Sequence, residues 1–200
     1  MNIFLLSPGR TATTTLSEAF KKIEGYTSAH ESNCQMLGEK RVDYPENHFE
    51  CDNRLVWFLP RLTARYGCSS LLVKVIRDKE SISKSYNRRW AGIKMMKSYS
   101  QGILMRPLEV NDIRVCRDYV NNVYEQIDYF SKDWAYFVEL DLDNPKPGLD
   151  KIFSILEVSG VGVNEYLSAK FLNKNVSGLK HKIDYLRYNI KHTIMDFMHT

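Results

Sequence analysis

The chain is poor in the features that would make it a disulfide scaffold, a membrane protein or a nucleic-acid binder. Its four cysteines, at positions 34, 51, 68 and 116, form neither a Cys-x-x-Cys pair nor a zinc spacing with histidines, so free thiols and no metal site are expected. No apolar run approaches the roughly 20 residues needed to cross a bilayer. The first such run, Ile3-Phe4-Leu5-Leu6, meets Pro8 and Gly9 at once, so neither a secretory leader nor an anchor is expected there. There is no continuous basic tract either. A formal charge of +4 suits an anionic small ligand and falls short of a nucleic-acid arm; Arg88-Arg89, Lys180 and Lys182 are scattered among apolar residues. Repeats and low-complexity segments are also missing. A soluble, cytoplasmic protein follows as the expectation, with no membrane span and no nucleic-acid partner.

What is present fits one domain. With 200 residues, 44% of them hydrophobic, one substantial core is expected over residues 1–200. Apolar periodicity predicts a strand at 2–7, a helix at 13–24 and a strand at 26–29. Residues 30–50 read as a long polar loop. A helix carrying Leu55, Phe58, Leu59 and Leu62 follows, capped by Asp52 or Asn53 and ended by Gly67. Leu71 to Ile76 is a buried parallel strand, and residues 80–90 are helical. Residues 94–110 read as a variable insertion or lid. A long amphipathic helix starts at Asn111, with Tyr119 and Tyr124 as packing residues; a strand at 135–140, a turn over residues 144–148 and a helix to about Val158 follow. Phe171 to Ile190 suggests one more helix. Strands alternating with helices imply an α/β fold of three layers, a central parallel sheet flanked by helices.

In such sheets ligands gather at the C-terminal ends of strands, where three groups of residues fall. The first is Ser7-Pro8-Gly9-Arg10-Thr11-Ala12-Thr13-Thr14-Thr15. A turn between strand and helix there offers backbone N–H groups, unpaired helix amides, the permanent charge of Arg10 and several hydroxyls to an anion. It lacks the Gly-Lys-[Ser/Thr] ending of a nucleotide-triphosphate loop, which disfavours a kinase or nucleotide hydrolase. An ordinary strand-to-helix turn with a Thr cap is the plainer alternative. The second group is His30-Glu31, and the third is Arg77-Asp78-Lys79-Glu80-Ser81-Ile82-Ser83-Lys84-Ser85-Tyr86. Arg77 and Ser85 stand where a strand end and the next helix can grip one phosphate.

Together the first and third motifs resemble the sulfotransferases that use 3′-phosphoadenosine 5′-phosphosulfate (PAPS). The resemblance covers the order of elements from about residue 2 to 160 and is specific only at those two motifs. Many members have Lys at the place of Arg10, Gly at that of Ala12 and Pro at that of Lys79. It implies a P-loop-like nucleotide-binding architecture and a metal-free reaction. By the same resemblance Ser7, Gly9, Arg10, Thr11, Ala12, Thr13, Thr14 and Thr15 form the 5′-phosphosulfate loop, with Arg10 stabilising charge on the leaving phosphate oxygen. Arg77 and Ser85 would hold the 3′-phosphate. A base for the acceptor hydroxyl is implied at Glu31 or His30, with Glu50 as a substitute. The acceptor class it implies is a carbohydrate, lipid or small metabolite. His48, Glu50, Asp52 and Arg54 are placed in an acceptor pocket, and residues 173–182 are the candidate for closing over the nucleotide. Ala12 and the open identity of the base keep a non-catalytic nucleotide-binding or scaffold protein as the alternative from another class.

Overall fold

The computed structural model describes residues 1–90, 94–106 and 111–172. Five strands form one parallel sheet: β1 (Ile3–Leu6), β2 (Thr27–His30), β3 (His48–Cys51), β4 (Leu71–Ile76) and β5 (Tyr136–Asp141), in the spatial order β2-β3-β1-β4-β5. The helices are α1 (Thr13–Phe20), α2 (Leu59–Tyr66), α3 (Lys79–Arg88), α4 (Lys94–Lys97), α5 (Ile113–Phe130), α6 (Pro145–Leu156) and α7 (Val161–Leu172). None of the described helices is long and apolar enough to cross a membrane.

Strand alternation decides which core each side chain joins. Ile3 and Leu5 of β1, Phe49 of β3 and Val73 of β4 point toward α1, α6 and α7. Phe4, Leu6 and Leu72 point the other way, onto α2, α3 and α5. Three layers result. The β1-to-β2 connection travels one way over the first face, and the β3-to-β4 and β4-to-β5 connections travel the other way over the second, as crossovers of one hand require. The chain leaves the neighbouring strands β1 and β4 in opposite directions. Such divergence opens a crevice at the strand ends, and the loops after Leu6 and Ile76 form its walls.

Several expectations change. Residues 48–51 are a fully buried strand inside the span read as a loop. Their polar face is satisfied internally: His48 Nε2 lies 3.2 Å from Glu50, and His48 Nδ1 lies 2.7 Å from Thr27 Oγ1. The helix expected from Asp52 or Asn53 begins as a 3₁₀ turn over Asn53–Phe58, capped by Asp52, and becomes α-helical at Leu59, where Pro60 occupies the first turn. Gly67 ends α2 with an ordinary right-handed backbone. Its lack of a Cβ admits the Asp133 and Thr63 carbonyls, each of which a Cβ would meet at 2.7 Å. In the described part of the segment read as a variable insertion or lid, residues 94–106, Met96, Tyr99 and Ser100 are buried and the chain runs as a π-helical turn over Ser98–Ile103. Helix α7 was not expected; Val163 and Leu167 bury it against the α1 side. The candidate nucleotide-closing residues 173–182, and most of the expected last helix, lie outside the described residues.

Candidate functional site

An open cavity of about 630 Å³ lies at the β1–β4 crevice. Its walls bring together Gly9, Arg10, Ala12, Thr13, Thr14 and Thr15 from the first loop, His30 and Glu31 from the end of β2, and Arg77 from the end of β4. Asn53, Arg54, Tyr86 and Met95 complete it.

The first loop is strained in a way that suits an anion. Gly9, Arg10 and Ala12 all have positive φ, at 84°, 60° and 55°. Left-handed residues in such a turn swing their N–H groups toward one side, and each non-glycine residue held there costs about 1–2 kcal/mol. Ala12 is the residue preceding α1, and no side chain caps that helix. The Thr cap of an ordinary turn is therefore not the arrangement found, and the positive end of α1 faces the cavity uncapped. Ser7 and Thr11 are buried behind the loop and work as staples: Ser7 Oγ accepts from the Gly9 N–H at 3.0 Å and lies 2.6 Å from Thr11 Oγ1. Neither is among the cavity walls.

Arg77 and Ser85 are tied to the same loop. Arg77 donates to the Arg10 carbonyl at 2.7 Å, and Arg10 Nε donates to Ser85 Oγ at 3.2 Å. Burial, Arg89 and Arg77 press the Arg10 guanidinium below its ordinary pKa, with Tyr86 opposing them. Clustered cations in a half-buried site raise each other's energy, and a bound anion relieves it.

Opposite the loop, His30 Nε2 is 3.0 Å from Thr13 Oγ1. Glu31 has φ 56° and meets Arg54 across 2.5 Å, carboxylate Oε1 to guanidinium nitrogen. Beneath this pair lies a buried network. Arg41, 2% exposed, pairs with the fully buried Asp52 at 2.5 Å and stacks over Phe58 at 5.0 Å. Burial raises the Asp52 carboxyl and the Arg41 charge opposes the rise. Asp52 also accepts the Arg54 N–H at 2.8 Å, which fixes the backbone that carries Arg54. Glu50 accepts from the Ser32 amide at 3.1 Å, from the Ser32 hydroxyl and from His48. His48, Glu50 and Asp52 thus support the floor from behind, whereas Arg54 reaches the cavity.

Sequence reasoning missed Asn53, Tyr86 and Met95. Tyr86 follows Ser85 directly, and its aromatic ring on a mostly polar helix was the available sign. No protein-family model matches the chain and no curated protein matches it significantly, so the site is read from its own geometry.

Neighbouring substitutions in the loop should act with opposite signs. A Cβ on Gly9 would lie 2.5 Å from the Tyr86 hydroxyl on a backbone at φ 84°. Gly9→Ala is expected to cost about 2 kcal/mol, a melting-temperature fall of roughly 4–8 °C. Ala12→Gly relieves a left-handed alanine and supplies a better cap, so its melting temperature should rise by about 1–2 °C. Thermal denaturation of both variants checks the pair; equal signs would contradict the loop conformation.

Proposed function

We propose that this chain binds PAPS and transfers its sulfuryl group to a hydroxyl of a carbohydrate, lipid or small-metabolite acceptor. One observation carries the reading: from adjacent, diverging strands, a strained loop with Arg10 and the Arg77 side chain converge on one cavity, with Ser85 behind its wall, bonded to Arg10. The strand order, with the loop directly after the central strand, fits a P-loop-like nucleotide-binding architecture. Arg10 and Arg77, on the loops after adjacent strands, supply two guanidinium groups to a nucleotide phosphorylated at both ends of its ribose. The cavity volume falls within the range of about 300–1,000 Å³ usual for small-ligand sites.

Sulfuryl transfer needs the donor and acceptor in line, charge stabilised on the leaving oxygen and a proton removed. Arg10 and the first-turn amides of α1 face the 5′ end and stabilise the developing charge. Arg77, with Ser85 beside it, holds the 3′-phosphate. Glu31 takes the acceptor's proton: Arg54 holds its Oε1 and orients the carboxylate, whereas the His30 Nε2 is already engaged by Thr13. The cationic walls balance the donor's negative charge.

A kinase reading has less support. Among the described residues the cavity walls include no lysine, Glu139 at the neighbouring strand end pairs with Lys74 at 3.1 Å, and Asp141 accepts from its own turn at 2.9 Å. Thermal denaturation with 3′,5′-bisphosphoadenosine (PAP), with ATP–Mg²⁺ and without ligand separates the readings, because a ligand that binds only the native state raises its melting temperature. At 100 times its dissociation constant PAP adds about 2.7 kcal/mol, a rise of roughly 5–10 °C. A rise with ATP–Mg²⁺ alone would replace this reading by the kinase one. PAP binding with no transfer to any acceptor would favour a non-catalytic nucleotide-binding protein.

A further inference from the structure

Tyr119 sits in the middle of α5, fully buried, and does not reach the cavity. A buried phenol must find a partner, and this one donates across layers to the Pro8 carbonyl at 3.1 Å. Tyr86 of α3, 3% exposed, donates to the same carbonyl at 2.5 Å. The two rings meet edge to face, with centroids 5.4 Å apart. Asn53 lies beside Tyr119 and also packs against Gly9.

That carbonyl is a consequential place to hold. Proline has no N–H, so the carbonyl is the only backbone polar group through which Pro8 can be fixed. The next two residues, Gly9 and Arg10, are both left-handed, and Ala12 repeats the conformation. A strained turn of this kind persists only where its surroundings over-determine it. Ser7 staples the far side; the two phenols hold the near side.

We propose that Tyr86 and Tyr119 are a positioning pair: by fixing the Pro8 carbonyl they keep the loop between β1 and α1 in its anion-binding shape, and so set its affinity. The loop then needs no ordering when an anion arrives, and none of the binding energy is spent on it. A carbonyl with two donors loses part of its hold when one goes: the loop opens more often but keeps its shape. Removing both leaves a buried acceptor with no phenol to serve it, and the loop turns to find another partner. The pair therefore acts non-additively. The proposal rests on the anion-site reading above, although it does not require that the anion be PAPS.

The experiment titrates wild type, Tyr86→Phe, Tyr119→Phe and the double variant with two probes, PAP and inorganic pyrophosphate. Each single variant should bind both within about 3-fold of wild type, and the double variant about 30-fold more weakly. Ile127→Val, a buried position lower on α5, is the control: it should lower the melting temperature and leave both dissociation constants unchanged. A merely structural role for the tyrosines would make their variants behave like this control. If the double variant does not fold, amide hydrogen exchange of Arg10 in Tyr119→Phe replaces it, and faster exchange there than in Ile127→Val is the expected result. Wild-type affinity in the double variant, or unchanged exchange, overturns the pair. Pyrophosphate binding with no preference for PAP would sink the PAPS reading while the pair is still read with pyrophosphate. Wild type that binds neither probe overturns both.

Discussion

Arg77→Ala is expected to bind PAP about 100-fold more weakly than wild type and adenosine 5′-monophosphate within about 3-fold of it. The difference between these nucleotides is the 3′-phosphate, and a guanidinium grips a phosphate with charge-assisted bonds worth about 1.5–3 kcal/mol, or roughly 10–150-fold. The smaller loss for the monophosphate has its own source. Arg77 also donates to the Arg10 carbonyl, so its removal should loosen the loop that, on the proposed reading, holds the 5′ end of both nucleotides. Isothermal titration of the two ligands into both proteins reads the ratio. Equal losses would mean that Arg77 acts only through the loop and leaves the 3′ site without its arginine. Arg77→Lys refines the test: an ammonium keeps the charge but not the planar fork, so it cannot serve the carbonyl and a phosphate in the same geometry. Its PAP affinity should fall between the other two.

The elements that frame the cavity were legible because their periodicity is strong. Leu71 to Ile76 is a mostly apolar run rich in β-branched residues, which marks β4 as a buried strand, whereas its register beside β1 came only with the fold. Helix α5 starts within two residues of its expected start and α6 ends within two of its expected end, but α6 begins at Pro145, inside the stretch read as a turn. The strand at 48–51 was missed although His-Phe-Glu-Cys alternates as a strand does, because the run is only four residues long and its His and Glu are residue types seldom fully buried. Only Thr27 and Ser32, distant in sequence, make a buried His48 and Glu50 tolerable.

The same distinction holds within the site. Arg10, Glu31 and Arg77 were readable because strand ends collect ligand chemistry and their residue types are costly to leave unpaired. The roles of Ser7 and Thr11 were not. A short hydroxyl beside a glycine serves equally as ligand donor or backbone staple, and burial behind the loop selects the staple. The Glu31–Arg54 pair needed the fold as well. It joins the end of β2 to the turn after β3, and that strand had not been foreseen. Helix α7 follows a turn through Ser159 and Gly160 and has weak amphipathicity, so packing against α1 decides it more than its own pattern does.

Glu31→Gln should lower kcat by about 10²–10⁴-fold, the usual contribution of a positioned general base, and leave the dissociation constant for PAP within about 2-fold. Glutamine keeps the shape of the side chain and its left-handed backbone, so the strain at φ 56° is unchanged. What it loses is the charge. An amide cannot accept the acceptor's proton, and its oxygen makes a weaker partner for Arg54. Single-turnover transfer from PAPS, measured beside PAP titration, separates chemistry from binding. His30→Gln belongs in the same series. The His30 ring is bonded to Thr13 in the first loop, so its loss should alter nucleotide affinity as well as rate. A Glu31→Gln enzyme that turns over normally beside a His30→Gln enzyme that does not would move the base to His30. The two residues leave the sheet at one strand end but face different partners, the loop for His30 and Arg54 for Glu31, and that difference makes their variants separable.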